Sequence, residues 1–352
     1  MSAFEQMAHN SLFSAEIAML GSDSSLTNQA PVDLAIIVPV YNGLDTLEEL
    51  VIRSIKAISS ITESFTIILV DDRGHDNCWP LICKLSSEYS QVRGIQLSRN
   101  FGQHRALTAG IDHINAKWYV VMDCDLQDAP EDVTKLLTVA ADGFDVVVAT
   151  RNKAGHSLFK RNSSRPFYWL FTAMSGLTLD WNAGNFRAFS YKVADAYRDL
   201  REEERFLPAA FSWMGFEVGA VELDHHPRQS GRSSYSIRKL LNLASDVIFS
   251  YSELPLRIVA GFGFIMSLIS IALATIYIVK ALIFGNAILG WTSLIVAVFV
   301  LGSIQIFMIG VVGLYVGKTF RETKRRPLYL VREFSGFENR SDKEHEGSTR
   351  YK

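Results

Sequence analysis

Along the first half of the chain, apolar positions follow two alternating patterns. Short, mostly apolar stretches rich in β-branched residues recur at Leu34 to Val38, Thr66 to Val70, Gly94 to Leu97, Tyr119 to Met122 and Asp145 to Ala149. They predict strands buried on both faces. Between them the spacing becomes helical. Leu47, Leu50, Val51, Ile55 and Ile58 share one face behind Thr46, a candidate N-cap, and Gln103 to Ile114 forms another helix. Strand, helix and strand in repetition predict a mostly parallel α/β sheet with crossover helices. Ligands of such sheets bind outside the carboxyl ends of the strands. The polar clusters Pro39 to Asn42, Asp71 to Asp76 and Asp123 to Asp125 should therefore converge on one crevice. A further amphipathic helix is expected over Leu158 to Met174.

After Arg257 the alternation gives way to continuous apolarity. No charge interrupts Ile258 to Val279 or Ala281 to Gly317, which contains a second run from Trp291 to Val316. At about 1.5 Å per residue, either run crosses a hydrocarbon core of roughly 30 Å. They predict a hairpin of two transmembrane helices, at about 258–283 and 291–316. Its loop has no Lys or Arg, whereas Arg238, Lys239 and Arg257 precede it and Lys318, Arg321, Lys324, Arg325 and Arg326 follow it. By the positive-inside rule this implies a multi-pass protein of the inner (cytoplasmic) membrane with both termini in the cytoplasm. Ahead of the hairpin, Ile237, Leu240, Leu241, Val247, Ile248 and Tyr251 predict an amphipathic helix on the cytoplasmic leaflet, where it meets membrane lipid. The expected division is a tail at 1–31, an α/β domain at 32–230, an interfacial segment at 231–256, the spans at 257–317 and a basic cytoplasmic tail at 318–352.

Length, at 352 residues, allows a full core and one further module. The net charge of −2 speaks against a nucleic-acid-binding surface. The three cysteines, Cys78, Cys83 and Cys124, match neither a zinc spacing nor a disulfide framework and suit a reducing compartment. The first thirty residues lack a basic segment followed by a long apolar core, so no signal peptide is expected there.

Asp123 and Asp125 carry the first chemical signal. If the strand extends through them, period-two alternation turns both carboxylates to one spot. Paired carboxylates suit Mg2+ or Mn2+, which fill their other positions with water and substrate phosphate. An acidic pair at a strand end is also a common solvated turn. Its company decides the matter.

That company is the ordered set Val38-Pro-Val-Tyr-Asn42, Val70-Asp-Asp-Arg-Gly-His-Asp-Asn77, Leu97-Ser-Arg-Asn-Phe-Gly-Gln103 and Asp123-Cys-Asp-Leu-Gln-Asp-Ala-Pro130. The set resembles the family 2 glycosyltransferases of GT-A (Rossmann-like) fold. With the paired apolar runs it is most similar to those acting on polyisoprenyl phosphates, over about Leu34 to Val331. The resemblance implies transfer of one sugar, with inversion, from a nucleotide-sugar donor, UDP by family frequency, to polyprenyl phosphate such as undecaprenyl phosphate. It also implies a homo-oligomer. Pro39, Tyr41, Asn42 and Asp72 would then line the nucleotide end of the donor pocket, Asp123 and Asp125 would hold the metal, and Gln127 and Asp128 would lie beside it. Pro130 and Glu131 suit the start of the next helix, whose dipole favours phosphate. Arg228 and Arg232, in Arg228-Gln-Ser-Gly-Arg-Ser-Ser-Tyr235, would clamp a phosphate. The chain departs from the family pattern at Arg73, where Gly is usual, at Ser234, where Lys is common, and at Asn185, where many relatives carry Asp.

Asn185 bears on the acceptor. A sugar hydroxyl needs a general base, whereas a lipid monophosphate, with a second pKa of about 6, is already largely dianionic at pH 7. An amide at position 185 is compatible with the phosphate and poor for the alcohol; the other candidate bases are Glu202, Glu203 and Glu204. Two alternatives are a processive polysaccharide synthase, whose Gln-X-X-Arg-Trp motif is absent, and a non-catalytic membrane scaffold with a degenerate donor site.

Overall fold

The computed structural model describes residues 31–151, 183–203, 205–223, 254–284 and 290–337. Strands β1 (Val32–Val40), β2 (Phe65–Asp71), β3 (Val92–Leu97), β4 (Ala116–Val121), β5 (Val146–Arg151), β6 (Ala183–Ser190), β7 (Val218–Leu223) and β8 (Val331–Ser335) form one sheet. Its order is β7-β5-β6-β4-β1-β2-β3-β8. The centre, β4-β1-β2-β3, is parallel; β6 runs antiparallel between β4 and β5, and β7 lies parallel to β5 on the edge.

Alternation along β1 explains the layering. Leu34, Ile36 and Val38 join α1 (Leu47–Ile58), α2 (Trp79–Glu88) and α4 (Val133–Ala140) on one face. Ala35 and Ile37 face α3 (Gln103–Asp112), α5 (Tyr191–Asp199) and α6 (Leu207–Met214) on the other. All five β1 residues are fully buried. Each large apolar side chain so enclosed contributes roughly 1.5–3 kcal/mol, which fixes the strand register and, with it, the edge where the polar clusters emerge. Helix α3 lies unusually close to the sheet: a Cβ on Gly110 would come within 2.4 Å of Ile37 Cγ2.

Several expectations change in detail. Thr46 precedes α1 but makes no side-chain cap bond; its hydroxyl donates instead to the Cys124 carbonyl at 2.5 Å, because the 124–128 turn lies against this helix end. Strand β4 stops at Val121, so Asp123 and Asp125 lie beyond its end, in the segment that turns at left-handed Leu126, φ 55°. Pro130 opens a three-residue 3-10 turn, Pro130–Asp132, before α4, and Glu131 is committed to Arg53 by bonds of 3.0 and 2.8 Å. The helical segment thus begins at Pro130, as the sequence suggested, with a 3-10 first turn before α4 continues from Val133.

Two long helices follow the α/β domain, α7 (Leu254–Phe284) and α8 (Trp291–Thr323). They touch at Gly263, where an added Cβ would meet Met308 Cε at 2.5 Å. Among the described residues one stretch, Val300–Thr323, is long and apolar enough to cross a membrane, by length and composition. Beyond it the chain returns to the sheet, whereas the sequence pointed to a tail. Strand β8 pairs antiparallel with β3, anchored by Trp79 Nε1 donating to Glu333 at 3.2 Å and by the Ser86 and Ser335 hydroxyls at 2.6 Å. A five-residue edge strand with exposed Arg332, Glu333 and Phe334 carries little hydrophobic signal. The expected helix at Leu158 to Met174 and the amphipathic helix before α7 lie outside the described residues.

The tight α3 contact yields a direct test. Gly110→Ala should destabilise the protein by about 1–3 kcal/mol through overpacking, and Ile37→Ala, which removes the Cγ2 that the added Cβ would strike, should cost less beside Gly110→Ala than alone. Thermal unfolding of the two single variants and the double variant in detergent reads the difference; an unchanged midpoint for Gly110→Ala alone would mean that α3 can lift from β1 freely.

Candidate active site

Parallel registry brings the three polar clusters to one edge. Val40 pairs with Asp71, and Ile37 with Val121, so the segments after β1, β2 and β4 leave the sheet side by side. Asn42 turns the chain in a left-handed conformation, φ 57°, and its Oδ1 accepts the His75 N–H at 2.8 Å. Tyr41 is exposed, its ring edge-on to His75 with centroids 6.1 Å apart. Pro39 lies buried inside β1, opposite Val70, behind the crevice rather than on its surface. Gly74 is wedged against Asn42: an added Cβ would fall 2.6 Å from its backbone nitrogen. The neighbouring Arg73 is exposed and left-handed, φ 56°. Glycine would adopt this conformation without the roughly 1–2 kcal/mol that a side chain costs there.

The two aspartates that end β2 serve the scaffold. Asp71 accepts the Arg73 N–H at 3.0 Å and the Gln96 side-chain amide at 2.9 Å. Asp72 accepts the backbone N–H groups of Phe101 and Gly102 at 2.7 and 2.9 Å, pinning the loop that opens α3. Burial pushes the Asp72 carboxyl up to about 6, against the opposing effect of those two N–H groups.

Asp123 is the focus. The side-chain amide of Gln103, first residue of α3, donates to one of its oxygens at 2.6 Å, and that of Asn185, from β6, reaches the other at 3.4 Å. Behind Asn185 sits Arg187, 3% exposed, bonded to the carbonyls of Asn185 and Gly184. Burial lowers the Arg187 guanidinium to about 10, with the charge of Asp123 acting the other way. Asp125 accepts the Gln127 N–H at 3.2 Å, and Gln127 stands partly exposed beside it. Between the two carboxylates, burial raises the Cys124 thiol to about 11, which keeps it protonated at neutral pH. His104 follows Gln103; its Nδ1 is shut off from solvent with no hydrogen-bond partner among the described residues, and burial first, then Arg187, lowers its pKa to about 4.

This donor set fits a hard divalent ion. It offers two carboxylates on one turn, one of them oriented by two amides, as ions that keep several water and phosphate ligands require. No group of three or more His, Cys, Asp or Glu side chains suited to a metal exists among the described residues, so the remaining ligands would come from substrate and water.

Of the residues expected from the sequence, Asp123, Asp125, Gln127 and Asn185 assemble around this turn, and Tyr41 and Asn42 lie at the end of β1. Arg228, Arg232 and Glu204 lie outside the described residues. Glu203 pairs with Arg105 at 3.4 Å. Gln103 closes one of the sequence motifs and Arg187 lies two residues after Asn185, but neither had an expected role. The signal for Gln103 was its position, an amide opening a helix directly after Gly102 at the strand edge.

The model of Glycosyl transferase family 2 matches residues 35–198. An uncharacterised glycosyltransferase, sll0501, of Synechocystis is 36% identical over 308 residues, 87% of this chain and 97% of the relative. The undecaprenyl-phosphate 4-deoxy-4-formamido-L-arabinose transferase of Yersinia enterocolitica is 30% identical, over 87% of this chain and 94% of the relative. Among solved structures, glucosyl-3-phosphoglycerate synthase of Mycobacterium tuberculosis with Mn2+, UDP and glucosyl-3-phosphoglycerate matches 62% of this chain and 78% of that one, at 15% identity and a TM-score of 0.42.

Asp72 makes the site sensitive to pH in a defined direction. Its folded pKa of about 6 lies above the ordinary 3.8, so the folded protein holds this proton more tightly than the unfolded chain. Its contribution is most favourable below about pH 4 and is lost as pH rises to about 6, by an amount on the order of 3 kcal/mol. Asp72→Asn should flatten that part of the stability profile, measured by unfolding between pH 4 and 7; an unaltered slope would contradict the assignment.

Proposed function

The chain belongs to glycosyl transferase family 2, and from that premise we propose that it moves one sugar from a nucleoside-diphosphate sugar, UDP by preference, to polyprenyl phosphate at the cytoplasmic face of a membrane. The observation that carries the acceptor is Asn185. The side chain beside Asp123 is an amide engaged with that carboxylate at 3.4 Å, not a second acid able to take a proton. A dianionic phosphate attacks without such a base; a sugar hydroxyl does not. The similarity to an undecaprenyl-phosphate transferase across nearly its whole length points the same way.

In this proposal a phosphate oxygen of the lipid attacks C1 of the donor sugar from the face opposite the diphosphate. The C1–O bond to the nucleotide breaks, its electron pair leaves with the nucleoside diphosphate, and C1 inverts. Mg2+ or Mn2+ held by Asp123 and Asp125 would supply positive charge to the departing diphosphate. Gln103 and Asn185 keep Asp123 in place, so the carboxylate needs little reorganisation as charge develops. Tyr41 and Asn42 line the nucleotide end, and Arg228 and Arg232 position the lipid phosphate. The segment at 231–256 would lie on the leaflet and α7 and α8 would both span it, holding the crevice at headgroup depth with both termini in the cytoplasm.

The test is transfer by the full chain in detergent, using several radiolabelled nucleotide sugars with Mg2+ or Mn2+, with and without undecaprenyl phosphate. Label should enter the organic phase only with the lipid phosphate, and Asp125→Ala should lower the rate about 100-fold or more. Metal-dependent turnover surviving Asp125→Ala would refute the site, and transfer to a free hydroxyl without the lipid would refute the acceptor.

A further inference from the structure

A cavity of about 770 Å³ opens at the other end of α3, lined in part by Arg201, Glu203, Glu322, Arg325, Arg326 and Tyr329. Its floor is the end of α3 at Asp112 and His113, roughly 14 Å along the helix from Gln103, so it is not the Asp123 crevice. Its roof is the chain that leaves α8, immediately after the stretch Val300–Thr323 that is apolar enough to cross a membrane.

The charges in this cavity are unevenly used. Asp112 is taken by Arg201, at 2.8 and 3.2 Å, and by the Tyr329 hydroxyl at 2.9 Å. Glu203 faces Arg105 at 3.4 Å, and Glu322 accepts the Glu203 N–H at 2.9 Å. Each lining carboxylate thus has a partner. Arg325 and Arg326 are exposed and form no ion pair among the described residues. Arg325 also occupies the left-handed position after the helix end, φ 46°, where glycine or asparagine is the unstrained choice. A long cation held in that conformation, beside a second one at the foot of an apolar helix, is placed for a ligand with phosphate chemistry. The volume is that of a small-molecule site.

We propose that this cavity binds a phosphate group through Arg325 and Arg326, as a site separate from the donor crevice, supplied by an anionic lipid headgroup or by free phosphate. The site rests on α8 crossing a membrane, not on the chemistry of transfer. Bound there, a headgroup would fix the foot of α8 to α3 through Glu322, Glu203 and Arg105, the same helix whose first residue orients Asp123.

Native mass spectrometry of the full chain in detergent, titrated separately with phosphatidylglycerol, phosphatidylcholine and inorganic phosphate, tests this. One phosphatidylglycerol or one phosphate should be retained, the retained probe naming the source, with phosphatidylcholine lost. Arg325→Gln with Arg326→Gln should weaken retention about 30-fold, Lys at both positions should restore most of it, and Asp123→Asn should leave it unchanged. Retention equal in the Gln double variant, retention lost with Asp123→Asn, or no retention of either anion would overturn the proposal. Extraction of the wild-type protein from membranes by alkaline carbonate would overturn it separately, by removing the span on which it depends.

Discussion

The hold of Gln103 and Asn185 on the Asp123 carboxylate is the interaction on which the rest of the site depends. The two amides come from opposite sides of β4: one opens α3, packed on the parallel half of the sheet, and the other belongs to antiparallel β6. Neither element is useful alone. Helix α3 is fixed at one end by Asp72 through the Phe101 and Gly102 amides, and along its length by the glycine contact with Ile37. Strand β6 is fixed by its pairing on both sides and by buried Arg187, whose guanidinium bonds the backbone beside Asn185. Two halves of one sheet thus act on a single carboxylate.

Much of this was legible in the sequence where the physics is local. The strands and helices of the parallel half follow from apolar spacing, and parallel order forces their polar ends to one edge, so the crevice could be located from β1, β2 and β4 alone. What depends on turn geometry could not be read. Strand β4 ends at Val121 and left-handed Leu126 closes the turn that carries Asp125, which strand alternation alone does not show. Asp72, expected at the nucleotide, also accepts from the backbone of a loop some thirty residues away in sequence. Thr46 looked like a helix cap and instead braces the turn after β4 through the Cys124 carbonyl. Long-range partners of this kind leave no local pattern, and the same holds for β8, whose five residues become a strand only because β3 offers an open edge.

That returning strand also changes how the membrane-directed part relates to the catalytic domain. Helix α8 is not followed by a loose end: Glu322 at its foot bonds Glu203, Tyr329 bonds Asp112, and β8 closes the sheet. The tie runs to both ends of α3, since Arg105 near its start faces Glu203 and Asp112 ends it. A helix embedded at α8 would therefore set the height of α3, and through Gln103 the position of Asp123, relative to the bilayer surface. For an acceptor whose phosphate is confined to that surface, such registry substitutes for diffusion in bringing nucleophile and donor together.

The central claim, that Asp123 held by Gln103 and Asn185 forms a metal-dependent nucleotide site, is tested most directly by calorimetric titration of UDP into the full chain, with and without Mn2+, for the wild type, Gln103→Ala and Asp123→Asn. Saturable binding should require the metal, weaken in Gln103→Ala and vanish in Asp123→Asn. Binding of equal strength in all three proteins, or binding indifferent to Mn2+, would contradict it.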